Sequence, residues 1–217
     1  MAGMRGLGQE GWQYKHYSTD EERDSRCKEI IVDLLMGRLD SLGTVVDTRP
    51  VHFRMFSGMH PADMPYFAGN YRGSPHGLLA NYNVMFDGIN GVHFSAVAAH
   101  VSSLGEKAKK EVERLKQLGA VDDGKKLVAV VGVACTLMVK FMAIHPYADG
   151  NGHVGRYFIW SFLHHFNIHA RRWPLNERPE PNYFDHIRCF REGQPKGLVT
   201  FVLKHVCNVE PANEAAF

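Results

Sequence analysis

The chain has 217 residues, 45% of them hydrophobic, which is enough to bury the core of one domain. Its formal net charge is +2, with acids and bases interspersed, so the charge does not indicate a nucleic-acid-binding protein. The four cysteines, at 27, 135, 189 and 207, form no CxxC pair, and the first residues lack the apolar stretch of a signal peptide. We therefore expect free thiols and a cytoplasmic protein, or one delivered into a host cytosol.

The first third of the chain is predicted to be partly helical. Residues 1–18 are rich in glycine and polar residues and are predicted to form a flexible arm. A capping hydroxyl residue and an acidic first turn then precede apolar residues at helical spacing as far as Leu42, which predicts a helix. Residues 43–65 contain several Pro and Gly and are predicted to be a loop. In residues 65–87, short aromatic runs flank a Gly/Ser/Pro turn, which predicts a β-hairpin.

Helical patterning returns in the second half of the chain. Helices are predicted over residues 92–118, 124–144, 151–167, 180–191 and 195–208. The stretch Leu127–Ile144 has about 18 mostly apolar residues, against roughly 20 needed to cross a membrane. Because Lys140 interrupts it and polar residues follow at once, we interpret it as a buried core helix and expect no membrane contact. The prediction is a mainly α fold with one β-hairpin, in a single domain over residues 19–210 with a tail at 211–217.

The stretch HPYADGNGHVGR, residues 145–156, contains the chemistry-bearing residues. A helix starting near Asn151 would expose backbone amides, and the flanking glycines would let an anion approach them. Asp149 is an oxygen ligand of the kind that Mg²⁺ takes in proteins. Arg156 can donate to a polyphosphate as a planar fork, and His145 can accept a hydroxyl proton. This set fits the transfer of a group from a nucleoside polyphosphate.

Three other interpretations of this stretch stay open at this point. GNGHVG matches the GxGxxG pattern of dinucleotide-binding proteins, although about ten residues separate it from the apolar run and no second βα unit follows. A zinc site of His145, His153 and His164 would lack the HExxH spacing. The stretch could also be a polar joint between two core helices, with Asp149 as a cap.

The same stretch resembles the signature of the Fic (Fic/Doc) family. That signature is histidine, proline, an aromatic residue, any residue, an acid, Gly-Asn-Gly, arginine, two residues and a second arginine. FAGNYR at 67–72 is similar to the start of the family's flap, a β-hairpin. YFDHIRCFREGQPKGLVTFVLKHV at 183–206 is similar to its paired aromatics and last helices. The resemblance covers roughly residues 65–208.

The resemblance implies a Fic-type helical bundle and an enzyme, since most characterised members transfer AMP from ATP to a Ser, Thr or Tyr hydroxyl of a target protein. By position, His145 would deprotonate the hydroxyl and Asp149 would hold Mg²⁺. Nucleotide-binding or phosphate-binding roles are implied for eight residues, which are Gly150, Asn151, Gly152, His153, Arg156, Tyr183, Phe184 and Arg191. A flap over residues 66–86 would align the target by strand-like pairing.

Two residues depart from the family pattern. His153 replaces the first arginine, and Arg191 stands where many nucleotidyl-transferring members carry an asparagine. A neutral histidine offers one N–H where arginine offers a charged fork, so we expect a weaker hold on phosphate. The alternatives are a Fic-type transferase with another donor group, such as phosphate or another nucleotide, and a non-catalytic peptide-binding module. No segment convincingly matches the family's autoinhibitory helix, so either a partner or a homo-oligomer inhibits the protein, or the site needs no inhibition.

Overall fold

The computed structural model describes residue 14 and residues 19–86, 88–118, 123–170, 172–179 and 181–207. The α-helices of this part are α1 (Asp20–Leu35), α2 (Ser41–Val46), α3 (Arg49–Phe56), α4 (Val97–Lys116), α5 (Asp123–Ile144), α6 (Asn151–His165), α7 (Tyr183–Arg191) and α8 (Lys196–Cys207). The strands are β1 (Met85–Phe86) and β2 (Ile89–Asn90), which pair antiparallel. The fold is mainly α, as predicted. Apart from Tyr14, the predicted arm lies largely outside the described residues, and the tail lies wholly outside them.

Helices α5 and α6 form the centre of the fold. They pack on each other, with α4 and α8 against α5 and with α1 and α2 against α6. Every residue from Val154 to Leu163 is buried, because α6 has neighbours on all sides. Within the described residues, Gly124–Ile144 is the one segment long and apolar enough to cross a membrane, and half of its apolar window is buried inside the protein. Its packing on four other helices, α4, α6, α7 and α8, is that of a core helix.

Helix α1 begins where the sequence predicts. The Thr19 hydroxyl oxygen accepts a hydrogen bond from an amide of the first turn at 3.1 Å. The helix ends at Leu35 and not near Leu42, so the prediction was wrong at this end. Gly37 takes a left-handed φ of 69° and turns the chain, and the Asp40 carboxylate then accepts two amides at the start of α2.

The loop predicted over residues 43–65 was also wrong. It contains most of α2 and all of α3, and it supplies one wall of the site described below. Pro50 lies in the first turn of α3, where a helix needs no backbone N–H from it. The proline therefore helps to start this helix and does not break it.

The β-hairpin predicted over residues 65–87 is not present at that position. The segment forms two 3₁₀ turns, Pro65–Phe67 and Gly77–Asn81, and contributes only β1 at its end. Aromatic residues suggested strands here, but Phe67 is fully buried, so its side chain serves the core. The later helices agree with their predicted ranges to within a few residues.

Candidate active site

The signature-like stretch forms a tight turn between α5 and α6. His145 directly follows α5 and has a φ of 53°, a left-handed conformation that is uncommon outside glycine. The Asn151 side chain closes the turn, since its Oδ1 accepts the Tyr147 amide and its Nδ2 donates to the Tyr147 carbonyl, both at 2.9 Å. The Asn151 side chain therefore helps to shape the loop, and its predicted phosphate contact stays a prediction.

His52 of α3 supports this loop from beneath. Its Nδ1 accepts the Gly69 amide at 2.9 Å, which places the ring proton on Nε2, and Nε2 donates to the Asp149 carbonyl at 3.0 Å. Burial lowers the pKa of His52 to about 3, so the ring is neutral. Its ring also stacks on Tyr147, with centroids 3.6 Å apart. Nothing in the local sequence distinguishes His52 among the 13 histidines, and it was not predicted.

Arg72 holds the other side of the loop and is only 1% exposed. Its guanidinium donates at 2.8–3.1 Å to four backbone carbonyls, which belong to His145, Tyr82, Val92 and Ile144. Its own amide donates to the Pro146 carbonyl at 2.8 Å. One side chain thus ties the end of α5 to the segment that precedes α4. The only signal for it in the sequence was its place at the end of FAGNYR.

Two cavities meet at the start of α6. The smaller, about 200 Å³, is called the His145 cavity, and eight of the ten predicted site residues line it. The other two, Gly150 and His153, line a second cavity of about 350 Å³. We call it the arginine cavity, because the side chains of Arg23, Arg156 and Arg178 line it. Four residues line both, which are Asp149, Gly152, Arg156 and Arg178.

The environment of His145 suits a proton acceptor. Burial lowers the pKa of His145 to about 4, with further lowering by the charges of Arg72 and Arg191. The imidazole is therefore neutral at pH 7 and able to take a proton. Arg191 lines the same cavity.

The Asp149 carboxylate lines both cavities and is fixed by backbone groups. Its Oδ1 accepts the Gly150 amide at 2.7 Å and its Oδ2 accepts the Tyr14 amide at 2.8 Å. Tyr14 lies within the predicted flexible arm, yet its ring is buried and stacks on Phe56 with centroids 4.2 Å apart. The glycine-rich composition around Tyr14 gave no sign of this contact.

Asp149 is the carboxylate here that suits a hard cation. Among the described residues there is no group of three or more side chains placed to hold a metal ion. Mg²⁺ typically takes one or two carboxylates and completes its shell with phosphate oxygens and water. The Gly150 and Tyr14 amides fix the orientation of the Asp149 carboxylate, and the donor set fits Mg²⁺ together with a phosphate ligand.

The first amides of α6 form the edge shared by the cavities. Within the described part of the chain, the Asn151 and Gly152 amides donate to no protein group. Gly150 before them has a φ of 79°, and a Cβ there would lie 2.4 Å from the Phe56 ring. Only glycine fits at this position, and the two amides without a protein acceptor suit an anion.

His153 and Arg156 both face the arginine cavity and hold the segment after Trp173. The His153 Nε2 donates to the Asn176 carbonyl at 3.1 Å, and burial, with the charges of Arg156 and Arg23, keeps its pKa well below the usual range. Arg156 is 3% exposed and donates through Nε and Nη2 to the Leu175 carbonyl at 3.1 and 2.9 Å.

The paired aromatics, Tyr183 and Phe184, differ in how much of their surface a ligand can reach. Tyr183 is buried against Trp173 and Phe201, so it belongs mainly to the core although it also lines the His145 cavity. Phe184 is 44% exposed, and the Arg178 guanidinium lies 4.6 Å from its ring centroid. Phe184 therefore has apolar surface left for a ligand.

A model of the Fic/DOC family matches residues 47–163. The chain belongs to this family. The matched range contains α3, the Arg72 segment and the whole signature loop, and α7 and α8 lie beyond it. Membership in the Fic/DOC family supports a Fic-type transferase in general, with nucleotide and protein substrates. None of the curated proteins compared with the chain matches it.

Two of the alternative interpretations of the loop do not fit the Fic-type site. GNGHVG follows a helix, α5, and not a strand, so it is not part of a βαβ unit. His145 and His153 line different cavities, which does not suit a shared zinc ion.

Proposed function

We propose that the protein transfers AMP from ATP to a Ser, Thr or Tyr hydroxyl of a target protein. The observation that supports this most is the convergence of eight predicted site residues on the His145 cavity, beside a buried, neutral imidazole. A nucleotide phosphate would lie at the amides that begin α6, in the cavity that His145 and Arg156 also line.

In this reaction the target hydroxyl attacks the α-phosphorus of ATP. A bond forms between the hydroxyl oxygen and the α-phosphorus, while the bond from that phosphorus to the oxygen leading to the β-phosphate breaks. The hydroxyl proton passes to His145, and pyrophosphate leaves. Positioning and charge neutralisation supply most of the rate in phosphoryl chemistry, and the α6 amides and Arg156 would serve both.

Mg²⁺ belongs to the proposal as a ligand of Asp149. The ion would offset the negative charge of the donor phosphates. Asp149 would hold it with the carboxylate already oriented by the Gly150 and Tyr14 amides. The adenine base of ATP would rest against Phe184 and against Met142 and Ile187, which line the His145 cavity with it.

A target segment would dock beside the chain that leads into β1, within the region assigned to the flap. The Arg72 guanidinium donates hydrogen bonds to both the His145 and the Tyr82 carbonyls. The segment that leads into β1 therefore lies next to His145, the proposed general base. Met85 of β1 is 73% exposed and offers a side chain for the target to pack on. Main-chain pairing along such a segment would bring the hydroxyl towards His145.

The test uses ATP radiolabelled at the α or at the γ phosphate, incubated in parallel with the protein and a pool of target proteins. We expect protein-bound label from the α position only, and at least about 100-fold less label with His145→Ala, because a general base contributes that much. ATP binding by His145→Ala, followed by calorimetry, should persist. Label from the γ position only would indicate phosphate transfer, and no label from any nucleoside triphosphate would indicate a peptide-binding module.

A further inference from the structure

We propose that the arginine cavity binds the terminal phosphates of the donor, and that Arg23 and Arg178 supply the positive charge that the signature lacks at His153. This inference depends on the proposed function only in taking ATP as the donor. It assigns to α1, and to the segment before α7, a part in binding that the family signature does not contain.

The placement of the cavities sets the direction of the phosphate chain. The two cavities share Asp149, Gly152, Arg156 and Arg178, so a ligand can run from one to the other across the start of α6. With the α-phosphate at the first amides of α6, in the His145 cavity, the remaining phosphates would extend into the arginine cavity. An added Cβ at Gly152 would lie 3.4 Å from Arg156 Nη1, which places this nitrogen beside the same amides.

Of the three arginines that line the arginine cavity, only Arg23 has an ion pair among the described residues. Arg156 is 3% exposed, and its only acceptor among the described residues is the Leu175 carbonyl. Arg178 has no ion pair in that part of the chain and stacks on Phe184. The Nε of Arg23 is buried and makes no hydrogen bond there, while its ion pair with Asp20 lies at the surface. Arg156 is therefore desolvated without a counter-charge, which is costly, so a bound anion would stabilise it, whereas Arg178 is exposed and Arg23 is half-buried.

The carboxylates that line the arginine cavity do not neutralise its three guanidinium groups. Asp149 already accepts the Gly150 and Tyr14 amides and would share a cation with the phosphates. Glu177 forms no ion pair among the described residues. Three guanidinium groups therefore face two carboxylates, one of which the proposed function assigns to a metal ion.

His153 acts in this arrangement through the segment it holds. Its Nε2 donates to the Asn176 carbonyl, and Arg156 donates to the neighbouring Leu175 carbonyl. Arg178 follows two residues after Asn176 and lines both cavities. The histidine thus positions a loop that brings another guanidinium to the place where a signature arginine is missing, which would offset the weaker hold expected from His153 itself.

The experiment measures binding of inorganic tripolyphosphate, ATP and AMP by calorimetry. Variants are Arg23→Gln and Arg178→Gln, with Arg188→Gln as a matched control, because Arg188 is an exposed α7 arginine paired with Asp185. We expect each of the two cavity variants to bind tripolyphosphate and ATP about tenfold more weakly. Arg23→Gln should leave AMP affinity unchanged, and Arg188→Gln should match the parent protein with all three ligands.

Arg23→Gln decides the result if Arg178→Gln proves unstable in thermal melts, since Arg178 also contacts Phe184. Unchanged tripolyphosphate and ATP affinities in Arg23→Gln, or no tripolyphosphate binding by the parent protein, would overturn the assignment. If AMP transfer still proceeds, the proposed function survives that outcome. The converse outcome is that both variants weaken tripolyphosphate binding while the parent protein transfers no AMP. That outcome would support the assignment of the arginine cavity and would contradict the proposed function.

Discussion

Two buried arginines at opposite ends of the signature loop experience the same environment and use it differently. Arg72 is 1% exposed and Arg156 is 3% exposed. Burial is the largest cause that lowers the pKa of each to about 10. Arg72 donates to four carbonyls, whereas Arg156 shares a single carbonyl between two of its nitrogens.

The difference teaches that burial alone does not identify a functional charge. A guanidinium whose three nitrogens all meet backbone acceptors is a structural cross-link, and its removal would leave several buried carbonyls without donors. A buried guanidinium that faces a cavity and has a nitrogen without an acceptor can bind a ligand. Keeping such a charge buried lowers the stability of the protein. This distinction makes Arg72 part of the scaffold and favours the proposed binding role of Arg156.

The largest expected effect is on Arg72. In Arg72→Met, four carbonyls lose their donor, so we expect the free energy of unfolding to fall by about 4 kcal/mol. Urea unfolding followed by circular dichroism measures this. Arg114→Met, at an exposed ion pair on α4, is the control and should change stability by less than about 0.5 kcal/mol. A loss at Arg72 no larger than the control's would contradict the cross-link.

The next effect concerns pH and His145, whose carbonyl Arg72 holds. Because the folded pKa of His145 is lowered from 6.5 to about 4, the unfolded chain takes up its proton first as pH falls. Stability from this group is therefore present above pH 6.5 and lost as pH falls towards 4, by at most about 3 kcal/mol.

The same lowering predicts the acid limb of the transfer reaction. The profile of kcat/KM against pH should keep its plateau down to about pH 5 and fall through about pH 4, because His145 must be neutral to accept a proton. Steady-state rates with excess Mg·ATP, in a pH range where melting curves show a folded protein, measure it. An acid limb near pH 6.5 would mean that His145 is not desolvated in the working enzyme.

The sequence predicted which residues share the His145 cavity better than it predicted the scaffold around them. The residues of the loop are close in the chain and their chemistry is specific, so His145, Asp149 and Arg156 could be identified together. His52 and Arg72 could not, since their roles depend on contacts with residues 73–97 positions away. A lone histidine and a lone arginine carry no local pattern that separates them from surface residues.

The errors in secondary structure have a similar origin. The sequence predicts a loop at Pro50, whereas a proline in the first turn of a helix is compatible with α3. The aromatic character of Phe67 predicts a strand, but its side chain packs in the core from a 3₁₀ turn. Tyr14 lay in a glycine-rich stretch, and only the tertiary contact with Phe56 and Asp149 fixes it.

The smallest expected change in stability, and the sharpest comparison with Arg72, is that of Arg156→Met. Methionine keeps an apolar stem and removes a desolvated charge, while the Leu175 carbonyl loses its donor, so the two effects largely cancel. We expect the free energy of unfolding without ligand to change by no more than about 1 kcal/mol.

Binding of ATP to Arg156→Met should nevertheless weaken about tenfold or more, because the group that faces the phosphates is gone. Urea unfolding with and without ATP measures both quantities in one experiment: ATP should raise the stability of the parent protein well above that of the variant. Equal losses of stability in Arg156→Met and Arg72→Met without ligand would show that both arginines are structural, and the binding role of Arg156 would then have to be abandoned.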